Sequence, residues 1–157
     1  MARATDAQLA YALLRFSFGI NLTMHGVSRI LSGVAEFASK TAAEFTHTVL
    51  PSAVVWPFSA ALPIVELIVG ALLMFGAYTR IALVGGSLLM AALAFGTALR
   101  ADWSVLGTQL VYCIAYYVLL LRRGDNWLSI DALRSSTVLA ERAERLRSSA
   151  RATPSTR

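Results

Sequence analysis

Four apolar stretches, each close to the length that crosses a bilayer, constrain this chain more than any other feature. They run from about Leu9 to Leu31, Phe58 to Ala77, Ile81 to Leu99 and Val105 to Leu121. A spanning helix needs about 20 consecutive, mostly apolar residues. The chain is 57% hydrophobic and 15% charged, whereas soluble domains carry about a quarter charged residues. The runs predict an all-α integral membrane protein built as a four-helix bundle, with the lipid bilayer as its first partner. No alternating pattern of the outer-membrane barrel type is present. The first run is too long, and too often interrupted by polar residues, for a cleaved signal peptide.

Charge sets the expected orientation. Eight arginines lie from Arg122 to the end of the chain, and Arg80 sits in the short turn between the second and third runs. Positive residues mark the cytoplasmic side. Both termini and the Tyr78–Arg80 turn are therefore expected to be cytoplasmic, with the Ser32–Trp56 and Arg100–Ser104 loops facing outward. Two regions result: a membrane domain over 1–131 and a basic, partly disordered cytoplasmic tail over 132–157. The tail sequence "TVLAERAERLRSS" predicts a basic amphipathic turn or two on the inner leaflet, followed by a disordered "ARATPSTR". Nothing in it resembles a nucleic-acid module, so no nucleic-acid partner is expected.

The outer loop has a period of its own. Phe37, Thr41, Phe45 and Val49 recur every four residues, with Glu36, Lys40 and Glu44 on a neighbouring face. This predicts a short amphipathic helix on the membrane surface between the first two spans, broken by the prolines of "LPSAVVWPF". Trp56 is placed as an interfacial anchor.

The first run, "LLRFSFGINLTMHGVSRI", carries Arg15, Asn21, His25 and Arg29 among its apolar residues. A charge at the centre of a membrane helix costs roughly 2.5–3.5 kcal/mol, so each needs a partner, a wet cavity or an interface. Arg15 is near enough to the cytoplasmic end to snorkel or to take an ion-pair partner. Asn21, His25 and Arg29 are spaced by four and form one polar stripe. Glu66 in the second run, and Gln109, Tyr112, Cys113 and Tyr116 in the fourth, lie at similar depth. The simplest arrangement turns these groups towards each other, with Glu66 paired to His25 or Arg29. Such a network either ties helices together or lines a small cavity, open to the outer face, for a polar or quinone-like head group. A titratable His25–Glu66 pair would suit proton exchange with a quinol. His25 and His47 are too sparse for a metal site, and the lone Cys113 reads as a packing residue.

The ordered set of Arg15, His25-Gly26, Arg29, Glu66, Gly70, Gly76 and Thr79-Arg80, closed by "GDNWLSID", resembles the DoxX family of small bacterial membrane proteins. The resemblance covers about Leu13 to Asp131. It implies a four-helix bundle in the bacterial cytoplasmic (inner) membrane and an association with redox chemistry, since relatives include the small subunit of thiosulfate:quinone oxidoreductase. One position departs from the pattern: Arg29 stands where that family usually has lysine, which keeps the charge and removes a lysine's protonation chemistry.

Three functions are compatible with these residues. The first is a membrane subunit of an oxidoreductase system, with a quinone as the candidate cofactor and a protein partner or a second copy of the chain. In it His25 and Glu66 handle protons, and Asn21, Arg29, Gln109 and Tyr112 hold the substrate. The second is a non-catalytic anchor or assembly scaffold for a partner complex. The third is a small-solute transporter, against which counts the lack of a visible inverted repeat.

Overall fold

The computed structural model describes residues 4–152, whose regular structure is helical throughout. The order is α1 (Asp6–Leu31), α2 (Val34–Glu44), α3 (Ser52–Phe75), α4 (Thr79–Leu99), α5 (Trp103–Leu121), a 3-10 turn at Arg123–Asp125, and α6 (Ile130–Ala152). Capping chemistry sets the first boundary. The Thr5 hydroxyl accepts from the Gln8 N–H and the Gln8 side chain accepts from the Thr5 N–H, a reciprocal box that starts α1 three residues before the apolar run. α3 begins at Ser52, earlier than the prolines predicted, with Pro51 as its cap and Pro57 and Pro63 inside it. Helices in apolar surroundings tolerate proline because neighbouring groups re-satisfy the freed carbonyls.

Among the described residues, α3, α4 and α5 are long and apolar enough to cross a membrane. The chain is a membrane protein. α1 has the length, 26 residues, but not the composition. Its polarity is arranged inside out. The buried stripe is Tyr11, Arg15, Gly19, Leu22 and Gly26, while the exposed face carries Leu9, Leu13, Phe16, Ile20 and Met24. A surface helix of a soluble protein has the reverse pattern.

α1 packs most closely along α3, α4 along α5 and also against α3, and α2 lies on α3. Glycines make the first contact intimate. A Cβ on Gly70 would fall 2.4 Å from the Thr23 nitrogen, and one on Gly19 would fall 2.4 Å from the Met74 nitrogen. Small residues let backbones approach where no aqueous hydrophobic effect drives the helices together. The core then fills with Leu22, Leu62, Leu73, Leu83, Met90 and Tyr116.

Two expectations need correction here. The loop helix α2 uses the predicted face only in part. Ala38, Ala42 and Phe45 are buried, Phe37 and Thr41 are half-buried, and Val49 lies beyond the helix end and exposed. The reason is that α2 beds on α3, where alanines allow close approach. Trp56 holds the two together by donating to Ser39 Oγ at 3.3 Å. The tail forms one helix of 23 residues, not a turn or two. The last five residues of "ARATPSTR" lie outside the described ones.

Arg15 also differs from expectation. It neither snorkels nor meets a carboxylate. It is 3% exposed, and its guanidinium donates to the carbonyls of Leu73, Met74 (3.2 Å) and Leu128 (2.7 Å). The first two belong to the last turn of α3, whose carbonyls have no partner within the helix. The chain then reverses at Gly76, in the left-handed region at φ 65°. A side chain there would strike both Arg15 and Ser129. Asp131 clamps the other side of the turn. Its carboxylate accepts from the backbone N–H of Tyr78 (2.8 Å) and of Thr79 (2.7 Å), at the start of α4, while its own N–H donates to the Gly76 carbonyl at 3.0 Å. "GDNWLSID" is thus a cap for the α3–α4 turn.

Burial acts to raise the Asp131 carboxyl, but the hydrogen bonds from Thr79 and Tyr78 outweigh it, and the group titrates below its ordinary value of 3.8. Its stabilising effect is therefore present above the unfolded value and lost as pH falls through the lower folded one. Thermal unfolding in detergent should show the parent losing stability below about pH 4. Asp131→Asn should be less stable at neutral pH and flatter over the acid range. An unchanged acid limb in the variant would exclude Asp131 as its source.

Candidate functional site

In the half of the bundle away from the Gly76 turn, α1, α3, α4 and α5 enclose a cavity of about 210 Å³. Its wall includes Asn21, His25 and Arg29 from α1, Glu66 from α3, and Gln109 and Tyr112 from α5. These are six of the eight residues that the sequence brought to similar depth, and the helix packing brings them around one space; the other two, Cys113 and Tyr116, pack in the apolar core. The four-residue spacing on α1 does this directly, since Asn21, His25 and Arg29 fall one above another. Ser17, a turn further along that stripe, is exposed and outside the cavity lining.

Of the two pairings open to Glu66, the structure has Arg29. One guanidinium nitrogen donates to both carboxylate oxygens. Glu66 is 2% exposed, so an unpaired carboxylate there would be costly. Arg29 is further held by the ring of Phe37, which lies 4.6 Å from its guanidinium carbon. The stem of α2 thus positions the cation of α1, a cation–π contact of the usual geometry. Phe37 belonged to the outer-loop period, but nothing in the sequence connected it with Arg29. His25 lines the cavity beside this pair and is not bonded to Glu66.

On the α5 side, Tyr112 donates to Asn21 Oδ1 at 3.2 Å, joining α5 to α1. The Tyr112 ring packs edge-on against Phe18 at 5.0 Å. Gln109 Nε2 donates to the Thr97 hydroxyl of α4 at 3.0 Å, while Gln109 Oε1 is buried with no donor. Thr97 is a partner that sequence reasoning missed, as are the apolar wall residues Met90 and Leu93. A threonine and two aliphatic residues in an apolar helix carry no signal that separates them from packing. The result is a mainly apolar space that carries one neutralised charge pair, an imidazole, two amides and a phenol. It can hold a small hydrogen-bonding group. It is smaller than the roughly 300–1,000 Å³ typical of drug-sized ligands.

The ion pair can be tested directly. Glu66→Ala leaves the Arg29 cation without its carboxylate. Removing one partner of a buried pair costs about 3–5 kcal/mol. The Arg29 side chain is 27% exposed, which lowers the expected loss to about 1–3 kcal/mol. The double variant Arg29→Met with Glu66→Leu should regain most of that loss in thermal unfolding. Losses that simply add would show that the two side chains are not coupled.

Comparison with known proteins identifies the family. No curated protein and no solved structure gives a significant match. One family model, described as methylamine utilisation protein MauE, matches residues 7–104. It overturns the resemblance to DoxX. The physical reason is visible in the fold: Arg15, Gly70, Gly76 and the closing "GDNWLSID" cap a turn and let two helices touch. A small helical membrane protein needs such residues whatever its family. The match spans α1 to the start of α5, well over half of the chain, and the protein belongs to the MauE family of methylamine utilisation proteins.

Proposed function

We propose that the protein is a multi-pass membrane accessory of a methylamine-utilising oxidoreductase system, and that its polar cavity binds a small hydrogen-bonding head group of quinone type. The observation that carries this reading is the convergence of Asn21, His25, Arg29, Glu66, Gln109 and Tyr112 on one cavity. The family's description supplies the metabolic setting. In this reading Arg29 and Glu66 act together as a fixed dipole in the wall, because each neutralises the other. Asn21, Gln109 and Tyr112 orient the head group. His25, beside the pair, is the group that exchanges a proton with it, since imidazole is the side chain suited to this near neutral pH. Electrons pass to or from a protein partner. The Arg29–Glu66 pair also favours a second reading, a scaffold in which the same groups only bind helices together.

The membrane arrangement is part of the proposal. α1 is read as a fourth span, completing a four-helix bundle with α3, α4 and α5. Its apolar outward face supports this, because lipid would meet Leu13, Phe16, Ile20 and Met24 while Arg15 is buried and Arg29 is neutralised by Glu66. The arginine-rich α6 supports cytoplasmic termini in the inner membrane. The domain of residues 1–131 would then be the bundle, and the basic segment after it would lie at the cytoplasmic surface.

Tags placed ahead of Thr5 and between Phe45 and Thr48 should report opposite faces of the membrane. The same face for both would mean that α1 does not cross. For the site, His25→Gln keeps size and hydrogen bonding but removes the proton acceptor. The variant should assemble and stay stable, and should shift the pH profile of quinone-linked electron transfer by the co-purified complex between about pH 5 and 9. An unchanged profile with normal assembly would favour the scaffold.

A further inference from the structure

A second cavity, of about 280 Å³, lies between α2, α3 and α4. It is nearly all apolar, and Val54, Phe58 and Phe95 at its edge are exposed on the outside of the helices. Its position relative to the polar cavity is specific. Leu93 lines both. On α3, Leu62 lines the apolar cavity and Glu66, one turn on, lines the polar one. On α4, Thr97 lines the apolar cavity and accepts the hydrogen bond from Gln109, which lines the polar one. The two spaces are neighbours with the Leu93 side chain as a shared partition, and the Gln109–Thr97 hydrogen bond links their walls.

We infer that the two cavities form one site for an amphipathic lipid, with a small hydroxyl-bearing head in the polar cavity and an apolar chain in the other. This rests on the head-group reading above and names the class of molecule. Three features select it. The apolar cavity has no charge free for a head group. Arg100, its one charged residue, is already paired with Glu44 and Asp102 and lies over the Phe45 ring at 5.6 Å. The edge phenylalanines face the region where lipid chains lie, so a membrane-dissolved molecule enters laterally without crossing water. In the polar cavity, Gln109 Oε1 is a buried acceptor without a donor. An unsatisfied buried acceptor costs about 1–3 kcal/mol, and a ligand O–H relieves it once the Gln109 amide turns towards the cavity. The ligand is therefore a donor at this point: the hydroxylated, reduced form of a quinone or an equivalent phenol. Rotation of the Leu93 side chain opens the partition.

The test uses the purified full chain in detergent and three probes: hydroquinone, decyl-hydroquinone, and decyl-hydroquinone with both hydroxyls methylated. The parent should bind the decyl compound at least about tenfold more tightly than hydroquinone, because burial of each methylene adds to affinity. The methylated probe should lose most of that affinity. Val55→Trp, which fills the apolar cavity and lies outside the lining of the polar one, should abolish the advantage of the chain and leave chainless hydroquinone within about twofold of the parent. That last result also shows that the variant is folded. Leu50→Trp, at another wall of the apolar cavity alone, should act in the same way. Equal binding of hydroquinone and its decyl form by the parent would overturn the chain site while leaving the head-group reading standing. A chain advantage that survives both tryptophan variants would place the chain elsewhere and overturn the inference. Undiminished binding of the methylated probe would overturn the assignment of a hydroxyl donor. Failure of every probe to bind the parent would overturn both readings.

Discussion

The buried guanidinium of Arg15 is the interaction on which the rest of the bundle depends. A helix that ends in apolar surroundings leaves carbonyls with no water to meet, and each unsatisfied group costs several kcal/mol there. Arg15 reaches from α1 to the final turn of α3 and to Leu128 beyond α5, and joins three parts of the chain by donating to their carbonyls. A cation at a helix C-terminus also meets the negative end of the helix dipole. Around it, Gly76 supplies the left-handed turn and Asp131 supplies acceptors for the first N–H groups of α4. One end of the molecule is therefore fixed by backbone capping, with one cation and one anion, neither of them bonded to the other.

The opposite half is built on a different principle. There polar side chains meet, and an ion pair between α1 and α3 is steadied by an aromatic ring from α2. The space left over is the cavity. Close glycine contacts between α1 and α3 fix the rotation of α1, which sets Arg29 against Glu66, leaves Asn21 and His25 on the exposed rim of the cavity, and turns the aliphatic face out. Rigidity at one end thus positions the polar groups at the other. The same rotation explains why α1 does not look like a span by composition alone: Arg15 is buried and Arg29 is paired with Glu66, which composition cannot register.

The residues that carried the resemblance to DoxX show how a family signal can mislead. Arg15, Gly70 and Gly76 are demanded by capping and close packing. Any chain that solves the same problem of two helices joined by a tight turn in lipid converges on such residues. The match to MauE runs over the first four helices. Function then has to be argued from the cavity and from the partners each side chain takes, because Arg15, Gly76 and Asp131 cap helix ends here.

The sequence by itself determined the helices and the polar inventory. Long apolar runs can only be helices in lipid, since every backbone group must find its partner within the segment. The four-residue spacing of Asn21, His25 and Arg29 could only make one stripe. Glu66, Gln109 and Tyr112 were legible as polar groups that need company. What only the tertiary structure decided is which company each one keeps. Glu66 takes Arg29 and not His25, Arg15 turns inward to carbonyls instead of outward to the interface, and Gln109 finds a threonine on α4. These choices depend on the rotation and separation of neighbouring helices. Those are set by glycine contacts and by caps more than fifty residues apart in sequence, and local periodicity carries no record of them.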